Sequence, residues 1–290
     1  MIDFLRLRKI FYLFSFLLIV IGLVSLIMRG RKNLGIDFTG GIMVNLKFEE
    51  KISEEKLEDI RKGLEMAGIK GQIQYIGGER KELLVKIKGS EDEKTEKKIR
   101  KIAEGIGKFA YSSTFIGPSV SRHLGSYAIK SIFLAVIAML IYIGFRFEFR
   151  FGVSAMLALL HDMIISLGIY SLTGREFNAP TIAAFLTIAG YSVNDTIVVF
   201  DRIRENLRLS RKEDYYTLLN KSINQTLTRT LITSLTTLLT CVALWLFASG
   251  DVSDFAFALI VGIAIGTFSS DCMASPLLYE WHIRSKAKKV

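Results

Sequence analysis

Half of the 290 residues are hydrophobic, and 38 lysines and arginines outnumber 28 aspartates and glutamates to leave a net charge of +10. A chain this apolar is not intrinsically disordered, and two cysteines cannot build a disulfide scaffold. The charge invites a nucleic-acid partner, but the basic residues sit beside long apolar runs, where membrane orientation explains them and nucleic-acid binding does not.

Six apolar runs, each of about 20 residues, are long enough to cross a hydrocarbon core ~30 Å thick as helices. They are Ile10–Met28, Tyr127–Phe145, Gly152–Leu172, Pro180–Phe200, Thr230–Ala248 and Phe255–Tyr279. The chain therefore reads as a polytopic α-helical membrane protein with six transmembrane helices. Residues 1–9 form a basic N-terminus with Arg6, Arg8 and Lys9, and residues 10–28 form the first span. This span is too long for a signal-peptide core, and Arg29-Gly30-Arg31-Lys32 follows it instead of a small-residue cleavage site.

Residues 29–125 change to a soluble pattern. Gly35-Ile36-Asp37-Phe38-Thr39-Gly40-Gly41 reads as a sharp turn into a sheet; no Lys-Ser/Thr pair opens a helix there to cradle phosphate. A strand over Ile42–Phe48 precedes a helix capped by Ser53, with Leu57, Ile60, Leu64 and Met66 on its apolar side and Gly68 as its stop. Strands over Gln72–Ile76 and Leu83–Lys88 join through a turn containing Gly77-Gly78. Ser90 opens a charged helix that places Ile99, Ile102 and Ile106 on one face, and Phe109–Ile116 is the last strand. The order β-α-β-β-α-β is the ferredoxin-like α+β arrangement, here an extracytoplasmic domain between the first and second spans. Gly117-Pro118-Ser119 closes it.

Residues 126–280 hold the other five spans, interrupted by a charged segment, 201–221, that reads as an interfacial cytoplasmic loop on whose membrane face Ile203, Leu207, Leu218 and Leu219 rest. Residues 281–290 form a basic tail. The short loops after spans two and four and both ends carry most of the arginines and lysines, so both termini are expected in the cytoplasm. Cys241 and Cys272 fall within spans and read as packing residues, and no metal or other cofactor is implied.

The chemistry concentrates in the fourth and fifth spans. Thr187, Tyr191, Asn194 and Asp195 share one helical face, with Thr196 beside them, and an ionised Asp at mid-span costs roughly 2.5–3.5 kcal/mol on insertion scales. Thr226, Arg229, Thr230, Thr233, Thr237 and Thr240 make a second polar stripe, which is expected to face the first. Counting from Arg202 and Lys221 puts Asp195 and Arg229 at similar depth. Two readings of the pair stand at this point: a static ion pair at the rim, or a proton site that opens when Asp195 gains a proton. His161-Asp162 is a second polar site near the centre of span three, with Asp162 the harder to explain structurally. Asp271, beside Ser269 and Ser270, is another buried carboxylate candidate, and Gly262 and Gly266 read as helix packing.

The motifs Gly35–Gly41, His161-Asp162, Gly190–Arg204 with its Tyr-Ser-Val-Asn-Asp-Thr core, and Arg229-Thr230, in that order, together resemble the SecD/SecF family of the resistance-nodulation-division superfamily, on its SecF side. The resemblance implies a subunit in the cell (inner) membrane that pairs with SecD beside the SecY/SecE/SecG channel and uses the proton-motive force to help draw preproteins outward. It implies proton coupling at Asp195 and Arg229, and no bond-making enzyme chemistry. Asp271 stands where the family pattern leads one to expect an apolar residue. Sodium in place of the proton stays open, since a carboxylate flanked by hydroxyls can take either. Two rival readings are half of a proton-coupled small-molecule exporter and a passive translocon scaffold.

Overall fold

The fold is seen in a computed structural model that describes residues 1–69, 71–76, 80–89, 93–210 and 213–287. Asp3 accepts a hydrogen bond from the Arg6 amide (3.0 Å) and so starts α1, Phe4–Arg29. The helix begins before Ile10 because the cap, not hydropathy, sets its start. A 3₁₀ turn, Gly30–Asn33, and a short helix α2, Ile36–Thr39, lead into the sheet.

The insert runs β1 (Gly41–Phe48), α3 (Glu54–Met66), β2 (Gly71–Ile76), β3 (Glu82–Lys88), α4 (Glu93–Glu104) and β4 (Phe109–Ile116). Its four strands lie in the order β2-β3-β1-β4, and every pairing is antiparallel. Ser53 caps α3 by accepting from the Lys56 amide, and Leu57, Ile60 and Leu64 are buried against Val44, Leu46, Val85 and Ile99. Met66 does not join them: it is 85% exposed, rotated off the face the other three share. The turn expected at Gly77-Gly78 and the helix opening at Ser90 fall outside the described residues.

Five long helical stretches follow: α5 (Pro118–Arg146), α6 (Phe149–Leu172), α7 (Ala179–Leu209), α8 (Tyr215–Phe247), and α9 (Gly250–Ser269) continued through a π turn (Ser270–Ala274) into α10 (Ser275–Ala287). With α1 they make, among the described residues, six helices long and apolar enough to cross a membrane, so the chain is a multi-pass helical membrane protein. α6, α7 and α9 form the centre; α1, α5 and α8 lie at the perimeter with most of their apolar side chains exposed.

Most of the segment 201–221 is helical. α7 continues through Asp201 to Leu209, and Asp214 starts α8 by accepting from the Tyr216 amide (3.1 Å). The charged turns stay helical because their side chains pair: Arg202 with Glu205 (2.7 Å), Arg204 with Asp201 (3.7 Å), and Arg146 with Asp201. Ile203, Leu218 and Leu219 are fully buried between helices and do not rest on a membrane face.

At the same end Asp3 anchors the N-terminus to α8. The Tyr216 hydroxyl (2.6 Å) and Asn220 Nδ2 (2.9 Å) both donate to Asp3 Oδ1, and the Tyr216 bond holds the Asp3 carboxyl below its usual value. A carboxyl whose folded pKa is depressed contributes stability above its unfolded pKa of ~3.9 and loses it as pH falls through the lower folded value. Amide-exchange protection factors for the first turn of α1 are therefore expected to stay level from neutral pH down to about 5 and to fall below about 4. Asp3→Asn should remove that acid limb; a limb unchanged in the variant would assign the effect elsewhere.

Candidate functional site

α7 carries Asp195 to the middle of the bundle. The inward positions Ala184, Ile188, Ser192, Asp195, Thr196 and Val199 are all buried, with Asp195 only 3% exposed. Its Oδ2 accepts a hydrogen bond from the Ser234 hydroxyl of α8 (3.4 Å). Ser234 is in turn reached by the Tyr191 hydroxyl (3.4 Å) and lies 2.6 Å from the Thr267 hydroxyl of α9. One hydroxyl, that of Ser234, thus meets the carboxylate, backed by hydroxyls from α7 and α9, and among the described residues no ion pair does.

Arg229 is not part of this contact. Asn206 to Ser222 (2.8 Å), Arg202 to Gln225 (2.7 Å) and Ser234 to Asp195 fix the antiparallel register of α7 and α8. That register sets Arg229 about one turn, ~6 Å, nearer the end where α1 begins. The depth inferred from Lys221 fails because α8 is already helical from Tyr215. Arg229 is exposed on the outside of α8, within electrostatic range of Asp195.

The threonine stripe behaves likewise. Thr226, Thr230 and Ser234 face inward, whereas Thr233 is exposed and Thr237 half-buried. Thr233 and Thr237 hydroxyls donate to Arg229 O (3.1 Å) and Thr233 O (2.9 Å) on their own helix, so neither needs a partner on α7. On α7, Tyr191 and Thr196 stay at the site, but Asn194 points out of the bundle.

A second carboxylate meets α7 one turn away, at Ser192. Asp162 of α6 is fully buried; its Oδ1 is 2.8 Å from His161 Nδ1, and its Oδ2 accepts from the Ser192 hydroxyl. α9 comes close here because Gly266 has no side chain: a Cβ there would lie 3.1 Å from Ser192 Cβ. Ser192 and Asp195 are one turn apart, so the two polar centres flank a single stretch of α7.

The sequence flagged Asp271 without a place. It lies on the π turn, is 4% exposed, has an Oδ1 with no hydrogen-bond partner, and is within electrostatic range of Asp195. A buried carboxylate without a cation is costly when ionised, so the layer suits uptake of a proton or a small cation. Among the described residues no three His, Cys, Asp or Glu side chains converge to hold a metal ion.

The glycine motif links this layer to the sheet. The Gly35 amide donates to Phe177 O (2.7 Å), and Asp37 Oδ2 accepts from the Ala179 amide (2.8 Å) at the first turn of α7. Phe38 packs toward Gly125 of α5. Gly40 has φ +75°, and at Gly41 (φ +154°) a side chain would collide with Ile87 O, so the entry to β1 requires glycine. β3 then clamps the loops at this end: Lys86 pairs with Asp251 (2.5 Å), Lys88 with Glu176 (2.6 Å), and Arg175 pairs with Asp254 nearby. Displacing the sheet unit would therefore pull on the starts of α7 and α9.

Comparison with known proteins agrees with these elements. Residues 94–284 match the family model for the protein export membrane protein SecD/SecF, C-terminal, and residues 33–52 match that for the SecD/SecF GG motif. The chain is 35% identical to the protein translocase subunit SecF of Endomicrobium trichonymphae, covering 99% of this chain and 93% of that one. It is 41% identical to SecF of Calditerrivibrio nitroreducens, over 96% and 93% of the two chains. The crystal structure of SecDF from Thermus thermophilus, a translocon-associated membrane protein, superposes with a TM-score of 0.83 at 39% identity, over 97% of this chain and 38% of that one.

Proposed function

Because the chain belongs to the SecD/SecF family of protein export membrane proteins, on the side of the translocase subunit SecF, we propose that it couples the proton-motive force to preprotein translocation through the SecY/SecE/SecG channel. Its relatives named SecDF join a chain of this kind to a further, longer part, and a SecD subunit is the partner this reading requires. The β-α-β-β-α-β insert is then a ferredoxin-like domain on the outer side of the inner membrane, with both termini in the cytoplasm. Coupling is conformational; no bond of the preprotein is made or broken.

The observation that carries the reading is Asp195, buried, hydrogen-bonded to the Ser234 hydroxyl, with Arg229 exposed on the outside of α8 and within electrostatic range. An arginine cannot lose its proton, so Arg229 acts by position. Exposed at membrane depth, it needs a counter-charge or water, which a helix of SecD docked on that face would supply. Protonating Asp195 weakens its attraction to Arg229, α7 and α8 shift, and the clamp at Asp37 and Lys86 passes the shift to the outer domain.

The test is to drive preprotein translocation, in vesicles holding the chain with SecD and the channel, by a proton gradient without sodium or by a sodium gradient at equal pH. The proton gradient alone is expected to raise translocation. Stimulation by sodium alone would reassign the ion, and stimulation by neither would leave a passive scaffold.

A further inference from the structure

A cleft of about 930 Å³ lies between the sheet unit and the end of α1, away from the polar layer around Asp195. α3, β2 and β3 line it on one side, and Arg29 and Lys32 line it on the other. Leu64, Ile69 and Ile73 give it an apolar wall. Five cations reach it, Arg29, Lys32, Arg61, Lys86 and Lys88, against the carboxylates of Glu65 and Glu176.

The protein answers only part of that charge. Lys88 pairs with Glu176 (2.6 Å) and Lys86 with Asp251 (2.5 Å). Arg61 reaches Glu58 on its own helix at 3.8 Å, with both side chains more than half exposed, and such a pair contributes little. No carboxylate pairs with Arg29 or Lys32 among the described residues, which leaves three cations beside Glu65. Arg29 Nη2 donates to Gly174 O (3.0 Å), while its Nε is buried without an acceptor. The guanidinium is held at the cleft wall with its hydrogen bonding incomplete.

Position selects the kind of anion. Arg29 is the last residue of α1, and Val24, Ile27 and Met28 just before it are 48%, 78% and 80% exposed. Acyl chains run beside such residues, and the phosphates of a bilayer lie level with the cations that follow them. The basic run Arg29–Lys32 also stands at the end of α1 away from the termini, where the positive-inside rule does not call for it.

We propose that this cleft binds the phosphate headgroup of an anionic phospholipid, held by Arg29, Lys32 and Arg61, with its acyl chains along α1. Basic pockets beside membrane spans take anionic headgroups in this way, and an arginine offers a phosphate paired N–H donors. The lipid bridges α3 of the insert to the end of α1. The site is independent of the reading of Asp195.

The test is native mass spectrometry of the chain–SecD complex, released from detergent after incubation with equal amounts of phosphatidylglycerol and phosphatidylcholine. The parent is expected to retain one phosphatidylglycerol that Lys32→Gln/Arg61→Gln holds about tenfold less well. Both side chains are exposed, and the Lys88 bond to Lys32 uses the Lys32 carbonyl, so this variant keeps the fold. Arg29→Gln should lose the same lipid, and Arg29→Lys should recover most of it. Lys51→Gln/Lys101→Gln removes equal charge from exposed positions of the insert outside the cleft and should retain the lipid as the parent does. Unchanged retention in Lys32→Gln/Arg61→Gln would overturn the proposal, as would an equal loss in Lys51→Gln/Lys101→Gln or equal retention of the two lipids. Displacement of the lipid by millimolar inorganic phosphate would also overturn it, by making the cleft a site for a soluble anion.

Discussion

Asp195→Asn is expected to abolish the stimulation of translocation by a proton gradient, while the chain still folds and assembles. Asn has nearly the shape of Asp, and its amide oxygen can still accept the Ser234 hydroxyl bond. The substitution removes the charge and the titration but little packing, so stability should change by less than about 1 kcal/mol. The gradient-dependent component of the rate should fall at least about tenfold, to the level seen without a gradient, because a site that cannot exchange a proton has no residual route. The component that runs without a gradient should not change. Stimulation is measured as the ratio of protected preprotein with and without the gradient, in vesicles matched for complex content.

Gly168→Leu is expected to have the largest effect on assembly. α1 and α6 cross backbone to backbone at this position: a Cβ on Gly22 would lie 2.8 Å from Gly168 Cα. A leucine has no flexible neighbour to displace there, only main chain, so the helices must separate. Overpacking of this kind costs about 1–3 kcal/mol, with the upper end expected where backbone is the obstacle. The crossing also holds the bond between the Ser25 and Ser171 hydroxyls (2.9 Å), which separation would break. Thermal midpoints in detergent should drop by several degrees, and α1 should become accessible to proteolysis. Gly190→Ala is the control: nothing lies within 4 Å of its would-be Cβ, and alanine is the better helix former by about 1 kcal/mol. Equal losses in both variants would show that the crossing is not what matters.

Hydropathy is local, so the six apolar runs and the alternating strands could be read from the chain, as could the cost of an aspartate among them. Helix ends could not. Caps at Asp3 and Asp214 and side-chain pairs at Arg202 and Arg204 carry α1, α7 and α8 past the apolar residues, so a charged stretch between spans turned out helical. The threonine stripe of α8 misled for a different reason: a threonine can satisfy its hydroxyl on its own helix, so a polar stripe need not turn inward. The residue that does meet Asp195, Ser234, is a single serine with no signal in its neighbours. Asp37 caps a helix 142 residues along the chain, and Asp271 lies within electrostatic range of Asp195, 76 residues before it. Contacts of that range leave no periodicity to read. The glycines of Gly35–Gly41 were legible as a turn because their backbone requirement is local; the anchor they make on Phe177 was not.

Proton movement itself is the decisive quantity. It can be followed with a pH-sensitive dye enclosed in vesicles that hold the complex and the channel, while preprotein crosses. Proton flux should rise with the amount of preprotein translocated and should vanish in Asp195→Asn. Stimulated translocation without proton flux, or a flux that persists undiminished in Asp195→Asn, would contradict coupling at this site.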